Sequence, residues 1–280
     1  MASDRIKGIA QYLAPKRALN RFAGFMANLR ISFIKNYLIQ DFVRRYQVNM
    51  TEAVEPNPLS YPSFNAFFIR KLKPEARPIA TADIVSPIDG CISEIGQLHQ
   101  GQLVQAKGHD YSVAALLGGD EALSSQFQQG SFATLYLSPK DYHRVHMPVA
   151  GQLQESIYIP GTLFSVQPSI VRVIPNLFAR NERLVTIFST EFGLMAAVLV
   201  GAAIVGSMGT AWGGDIDRAS QIKRVSYDDA SSIALAKADE IGYFKLGSTV
   251  VLLFANPLQW SSHWKSGEPI QLGQALGAFS

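Results

Sequence analysis

Three residue types that together can activate a serine lie far apart in this chain. Ser248 stands in FKLGSTVVLLF, Phe244 to Phe254; His143 and His146 stand in SPKDYHRVHMP; Asp89 stands in VSPIDGCISEIG. A serine nucleophile needs a base to take its proton, and the base needs a carboxylate to fix its tautomer. Asp89, His146 and Ser248 supply one of each. Singly, each has an ordinary reading. Gly247, Ser248 and Thr249 make a turn that feeds a buried strand, Asp89 is a turn aspartate between Pro87 and Gly90, and a His pair at this spacing is commonly structural or superficial. The pair could also ligate a metal, but no convincing third and fourth ligands accompany it, so no metal is expected.

The elements that must position these residues are legible in outline. At 280 residues and 48% hydrophobic, the chain can bury a full core. Its single cysteine, Cys91, excludes an internal disulfide and reads as a small core residue, which favours the cytosolic side of a membrane. The first residues lack the unbroken apolar region and cleavage site of a secretory signal, so none is expected.

Charge is unevenly spread. Residues 1 to 50 hold nine Lys or Arg against Asp4 and Asp41, whereas the remainder is net acidic. A basic end of this kind suits an anionic surface. Within it, Phe22, Phe25, Met26, Leu29, Phe33 and Tyr37 recur at three and four spacing, with Arg21, Arg30, Lys35 and Arg44 off that line. The pattern predicts one or two amphipathic helices, lying in a membrane interface or packed on the domain's own core.

Pro56, Pro58 and Pro62 then break any helix and predict a boundary near residue 60. Beyond it, short β-rich runs such as ATLYLS, TIFST and TVVLLF alternate with Gly, Pro, Asp and Asn clusters. The expected fold class is α+β: an N-terminal amphipathic helical region, 1–60, and a mostly β catalytic domain, 61–280. Residues 192–214 contain no charged residue, yet six glycines interrupt them, which favours two buried strands joined near Gly201 over a membrane span.

The wording of several segments resembles the phosphatidylserine decarboxylase family, pyruvoyl-dependent membrane enzymes. Besides LGST, the resemblance lies in SFNAFFIRKLKPEARPI at 63–79, SPIDG at 86–90, PKDYHRVHMP at 139–148, PGTLFSV at 160–166, PNLFARNERLV at 175–185 and VGAAIVGSM at 200–208. It implies that Ser248 attacks its own chain at the Gly247 carbonyl. Cleavage there gives a large chain, 1–247, a small chain, 248–280, and a pyruvoyl group from Ser248 as covalent cofactor. By the same resemblance His146, held by Asp89, is the base for self-cleavage, and His143 is the candidate for proton transfer in the decarboxylation of phosphatidylserine to phosphatidylethanolamine. Tyr136, Phe164 and Ser165 are the substrate-contact candidates.

The implied partners are a phospholipid membrane, phosphatidylserine, the two chains as a heterodimer, and a homodimer as one form of assembly; nucleic acid is not among them. The implied location is peripheral, on the cytoplasmic face of the cell membrane. Three other readings stay open. One is a pyruvoyl decarboxylase of a soluble amino acid, and another is a serine hydrolase that keeps its chain whole. The third is a non-enzymatic β-rich module with a membrane arm, although SPIDG lacks the lysine that a biotinyl or lipoyl carrier needs.

Overall fold

A computed structural model describes residues 8–9, 11–12, 16–106, 109–202, 207–245 and 247–279. Arg5, Lys7 and Asp4 of the basic segment lie outside the described residues, as do residues 203–206 of the uncharged stretch.

After helical residues at 8–9 and 11–12 come two helices, α1 (Lys16–Asn28) and α2 (Ser32–Tyr46). Arg44 and Arg45 occupy the last turn of α2, where the helix dipole favours cations. Gln47 ends the helix in the left-handed conformation, φ 52°, with its N–H on the Val43 carbonyl. The short α3 (Phe64–Phe68) is capped by Ser63, whose Oγ accepts from Ala66 N at 3.2 Å.

Phe64, Phe67 and Phe68 pack with Ala27, Ile39 and Val48 in one buried cluster, with Phe42 edge-on to all three phenylalanines. This helical core therefore continues past the prolines near residue 60. The prolines interrupt helix but do not end the packing unit, because α3 returns to bury its aromatic face on α2. The outward face of α1 and α2 is apolar: Phe22, Phe25, Phe33 and Tyr37 are 65–76% exposed. No helix among the described residues is long and apolar enough to cross a membrane.

Eighteen strands follow among the described residues. The first six are β1 (Ile84–Val85), β2 (Gly90–Gln97), β3 (Gln102–Ala106), β4 (His109–Ser112), β5 (Ser131–Leu137) and β6 (Arg144–His146). Next come β7 (Gly151–Ile159), β8 (Arg183–Thr190), β9 (Gly193–Val200), β10 (Met208–Thr210), β11 (Gly214–Asp215) and β12 (Lys223–Ser226). The last are β13 (Ala234–Leu235), β14 (Glu240–Phe244), β15 (Ser248–Phe254), β16 (Leu258–Trp260), β17 (Pro269–Ile270) and β18 (Ala275–Phe279).

The large antiparallel sheet runs β12-β7-β8-β9-β15-β5-β2-β17, with β13 also paired to β7. A four-stranded sheet runs β11-β10-β14-β6, a three-stranded one β1-β18-β16, and β3 pairs β4. The fold is thus α+β and mostly β, as expected. In its described part the uncharged stretch holds two strands, β9 and β10, and no helix.

All seven residues of β15 are buried, because the strand is central and covered on both faces. Val251 and Leu253 join one core cluster with Phe164, Phe178 and Val198. Val250, Leu252 and Phe254 join the other with Val145, Phe244 and Leu276. The first residue of β15 therefore emerges where the large sheet meets the four-stranded one.

Candidate active site

Ser248 is fully buried, and its Oγ has no hydrogen-bond partner among the described residues. An orphaned buried hydroxyl costs about 1–3 kcal/mol, and the Thr249 Oγ1 beside it is in the same condition. Gly247 before it has φ +46°, the left-handed region that a side chain would disfavour.

Strand register assembles the rest. Ser248 pairs with Leu137, and Tyr136 pairs with Cys91, one residue after Gly90. The ends of β5 and β15 and the SPIDG turn therefore share one edge of the large sheet. A Cβ at Gly90 would stand 2.2 Å from the Tyr136 carbonyl oxygen, so only glycine lets the turn close there.

His143 is fully buried, with the Phe68 ring stacked on it at 4.1 Å. Its carbonyl accepts from Phe244 N, which places it at the junction of β14 and β15. Nε2 lies 3.1 Å from the Ser138 carbonyl. A carbonyl can only accept, so Nε2 carries the proton and Nδ1 presents its lone pair, with no partner. Burial, followed by the charge of Arg70, pushes the His143 pKa down to about 3. The ring is a neutral base in waiting.

His146 is engaged at both nitrogens. Nδ1–H donates to the Ala238 carbonyl at 2.7 Å, and Nε2 accepts from Tyr142 O–H at 3.1 Å. Burial lowers its pKa as well, against smaller opposing effects from Ala238 and from the charges of Glu240 and Asp89. Its backbone N–H donates to Pro87 O at 2.9 Å and ties the ring's strand to the SPIDG turn.

Asp89, 7% exposed, is held by Arg77: Nε reaches Oδ1 at 2.9 Å and Oδ2 at 3.0 Å, and Nη2 reaches Oδ2 at 2.6 Å. Arg77 Nη2 also bonds Glu52 at 2.8 Å, and Leu272 N donates to Asp89 Oδ1 at 2.9 Å. Among the described residues Asp89 has no hydrogen bond to His146. The structure brings Asp89, His143, His146 and Ser248 to one end of the sheet without linking them in a hydrogen-bonded row. The Asp89 charge favours a protonated His146 only as the least of several effects.

Beside them opens a cavity of about 500 Å³, lined by Arg70, Asp89, Cys91, Tyr136, Ser138 and Asp141 among others. Tyr136 and Ser138 face it, so Leu137 and its partner Ser248 belong to the opposite face of the strands. Burial pushes the Tyr136 pKa up to about 12 and raises that of Asp141, whose carboxylate accepts from Ser138 N at 2.7 Å.

Phe164 and Ser165 do not line this cavity. The Phe164 ring packs edge-on against Tyr12 at 5.2 Å, beneath the Arg180 guanidinium at 4.8 Å, and Ser165 N donates to Gln11 Oε1 at 3.1 Å. The PGTLFSV segment is thus covered by the N-terminal residues. Arg70, Arg77, Asp141 and Tyr142 were not anticipated, although they lie inside the two segments FFIRKLKPEARPI and PKDYHRVHMP that carry the resemblance.

Residues 64–278 match the family described as Phosphatidylserine decarboxylase, and residues 6–47 match a second description, PSD. The chain is 52% identical over 279 residues to a phosphatidylserine decarboxylase proenzyme of Legionella pneumophila, covering 99% of both chains. Proteins of the same name from Acidovorax ebreus and Dechloromonas aromatica are 52% and 51% identical, covering 98% and 99% of this chain. With the family's span covering the β domain and these relatives covering nearly every residue, the chain belongs to the phosphatidylserine decarboxylase family and is a decarboxylase.

Proposed function

We propose that this chain is a proenzyme that cuts itself between Gly247 and Ser248, bears a pyruvoyl group at position 248, and converts phosphatidylserine to phosphatidylethanolamine. The observation that carries the reading is the buried, unpartnered Ser248 Oγ directly after a left-handed glycine. The residues present fit a pyruvoyl group derived from Ser248. The hydroxyl has no competing partner, and neutral imidazoles lie at the same sheet edge.

Self-cleavage begins when the Ser248 Oγ–H bond breaks, Oγ adds to the Gly247 carbonyl carbon, and the proton passes to an imidazole. Breaking the Gly247–Ser248 C–N bond then leaves an ester and a free amine, which takes that proton. An imidazole then takes the Ser248 α-proton, a carbon–carbon double bond forms, and the Cβ–O bond breaks to free the Gly247 carboxylate. The dehydroalanine left at 248 takes up water and releases ammonia. His146 is the proposed base, with the Asp89 charge supporting its protonated form. Tyr142 O–H must turn away from Nε2 for His146 to serve.

The pyruvoyl group supplies an electron sink for the pair left behind when carbon dioxide departs. His143 then has a defined part. Its Nδ1 lone pair relays a proton from the substrate's ammonium group to the carbon that lost the carboxylate, and the bound substrate's anionic groups raise a proton affinity that burial and Arg70 otherwise hold down. Phe68, stacked on the ring, keeps water off that proton.

Membrane contact follows from the exposed aromatic face of α1 and α2 and from the basic N-terminus, which suits a peripheral position on an anionic, cytoplasmic leaflet. The large and small chains stay together as a heterodimer because β15 pairs with β5 and β9, β18 with β1, and β17 with β2.

Intact mass under denaturing conditions, wild type beside Ser248→Ala, tests the reading. Expected are two wild-type chains, the smaller with a ketone-bearing blocked N-terminus, and one uncut variant chain. A single 30.6 kDa chain in both would end it. Activity on phosphatidylserine vesicles against free serine then separates the lipid substrate from a soluble amino acid.

A further inference from the structure

Two arginines are almost wholly enclosed, in different ways. Arg183, 3% exposed, donates to three main-chain carbonyls: Leu116 at 2.6 Å, and Asn181 and Ala115 at 2.8 Å each. Its burial is explained by the structure around it. Arg70, 5% exposed, has no such set. Its Nε and Nη1 have no hydrogen-bond partner among the described residues, and Nη2 reaches only the Lys140 carbonyl, at 3.5 Å. No carboxylate among the described residues forms an ion pair with it. A buried guanidinium left in this condition is strongly disfavoured unless an anion meets it.

Arg70 lines the 500 Å³ cavity, where the charges of Asp89 and Glu52 act on it through space and the Phe67 ring lies 5.5 Å from its Cζ, but no carboxylate reaches it as an ion pair. Glu52 and Asp89 are both engaged by Arg77. Asp141 faces the Ser138 amide. Lys140, exposed and also lining the cavity, adds a second cation.

We propose that Arg70 anchors the phosphate of the substrate's head group, which makes this cavity a phosphodiester subsite. The inference rests on the decarboxylase reading. A serine head group carries two anions, and the chemistry assigns them different surroundings. A cation on the carboxylate would stabilise the ground state of the group that must leave as neutral carbon dioxide, and so would slow its departure. The phosphate stays anionic from substrate to product, and a fixed planar fork suits it throughout. Tyr136 and Ser138 in the cavity wall flank Leu137, the register partner of Ser248, and only four bonds separate the phosphorus from the amine nitrogen in the head group.

The test uses the full-length Ser248→Ala precursor, in which turnover cannot occur. Calorimetry measures its binding of dihexanoyl phosphatidylserine, dihexanoyl phosphatidylethanolamine and inorganic phosphate, each with Arg70 and with Arg70→Gln. Loss of one charge-assisted pair predicts at least about ten-fold weaker binding of both lipids and of phosphate. Phosphatidylethanolamine decides the assignment because it has the phosphate and lacks the carboxylate. If only phosphatidylserine weakens, Arg70 reads the carboxylate and the proposal falls. If only inorganic phosphate weakens, the site is a free-anion site and the head-group assignment falls.

Unchanged binding throughout also overturns the proposal. Should Arg70→Gln fail to fold, Arg70→Lys carries the same comparison, with a loss of about three-fold for the missing fork; no loss there counts against the subsite. Wild-type activity keeps the two readings apart. An inactive wild type whose precursor still binds phosphatidylethanolamine through Arg70 would end the decarboxylase reading and leave the subsite standing.

Discussion

The Phe68 ring lies on the His143 imidazole, centroids 4.1 Å apart and planes 30° from parallel, with both residues fully buried. The contact brings the helical region onto the reactive end of the β domain. It also fixes the charge state of the ring, since an enclosed imidazole beside Arg70 cannot easily hold a proton.

Stability should therefore fall on mild acidification. The folded pKa of His143, about 3, lies below the unfolded value near 6.5, so the folded state binds fewer protons. Its contribution is whole above the unfolded value and is lost as the pH falls toward about 3. Between pH 7 and 5 this amounts to about 2 kcal/mol. His146 shifts in the same direction. Urea unfolding of the Ser248→Ala precursor at the two pH values measures the loss, and His143→Gln should flatten it. An equal slope in both proteins would show that His143 is not the titrating group.

Arg77→Met should cost about 3–5 kcal/mol in the same precursor, because it leaves Asp89 buried and unpaired. Asp89→Asn on top of it should recover part of the loss, with a coupling above about 1 kcal/mol. Additive effects would mean that the pair contributes nothing by its contact. In the self-cleaving protein, the rate at which the 248–280 fragment appears should fall with either change.

The two chains should co-elute after cleavage and separate only in denaturant. Each of Val250, Val251, Leu252 and Leu253 is fully buried, worth roughly 1.5–3 kcal/mol apiece. Leu252→Ala should lower the denaturant midpoint by an amount corresponding to about 2–5 kcal/mol. Release of the small chain in native buffer would contradict the observed strand pairing.

Replacing Phe25 and Phe33 together by serine should weaken sedimentation with phosphatidylserine-containing vesicles at least about ten-fold, with cleavage unaffected. These rings are 65% and 76% exposed and support nothing inside the fold. Raising salt should weaken wild-type binding further, through the basic residues. Unchanged sedimentation would remove α1 and α2 from the membrane contact.

What the sequence disclosed was local. The three and four spacing of Phe22, Phe25, Phe33 and Tyr37 reads as helix, and TVVLLF reads as buried strand, because each pattern is complete within one segment. Partners distant in sequence were not legible. Ala238 lies 92 residues from His146, and Leu272 lies 183 from Asp89. Residue types suggested an Asp89–His146 contact, whereas Arg77 offers Asp89 two nitrogens of one planar group and holds it. The prolines near residue 60 were visible, but nothing local showed that Phe64, Phe67 and Phe68 would fold back onto the helices.

The bond proposed for cleavage joins two sheets. β14 ends in the four-stranded sheet at Phe244, and β15 begins in the large sheet at Ser248. Cutting so short a connection would release little chain entropy, since both ends are already pinned by their own ladders. The four-stranded sheet would then belong wholly to the larger chain, while the three-stranded sheet would draw two of its strands from the smaller. Maturation would thus replace a covalent joint by a seam, and create in the middle of a finished protein a chain terminus that no folding chain could have threaded there.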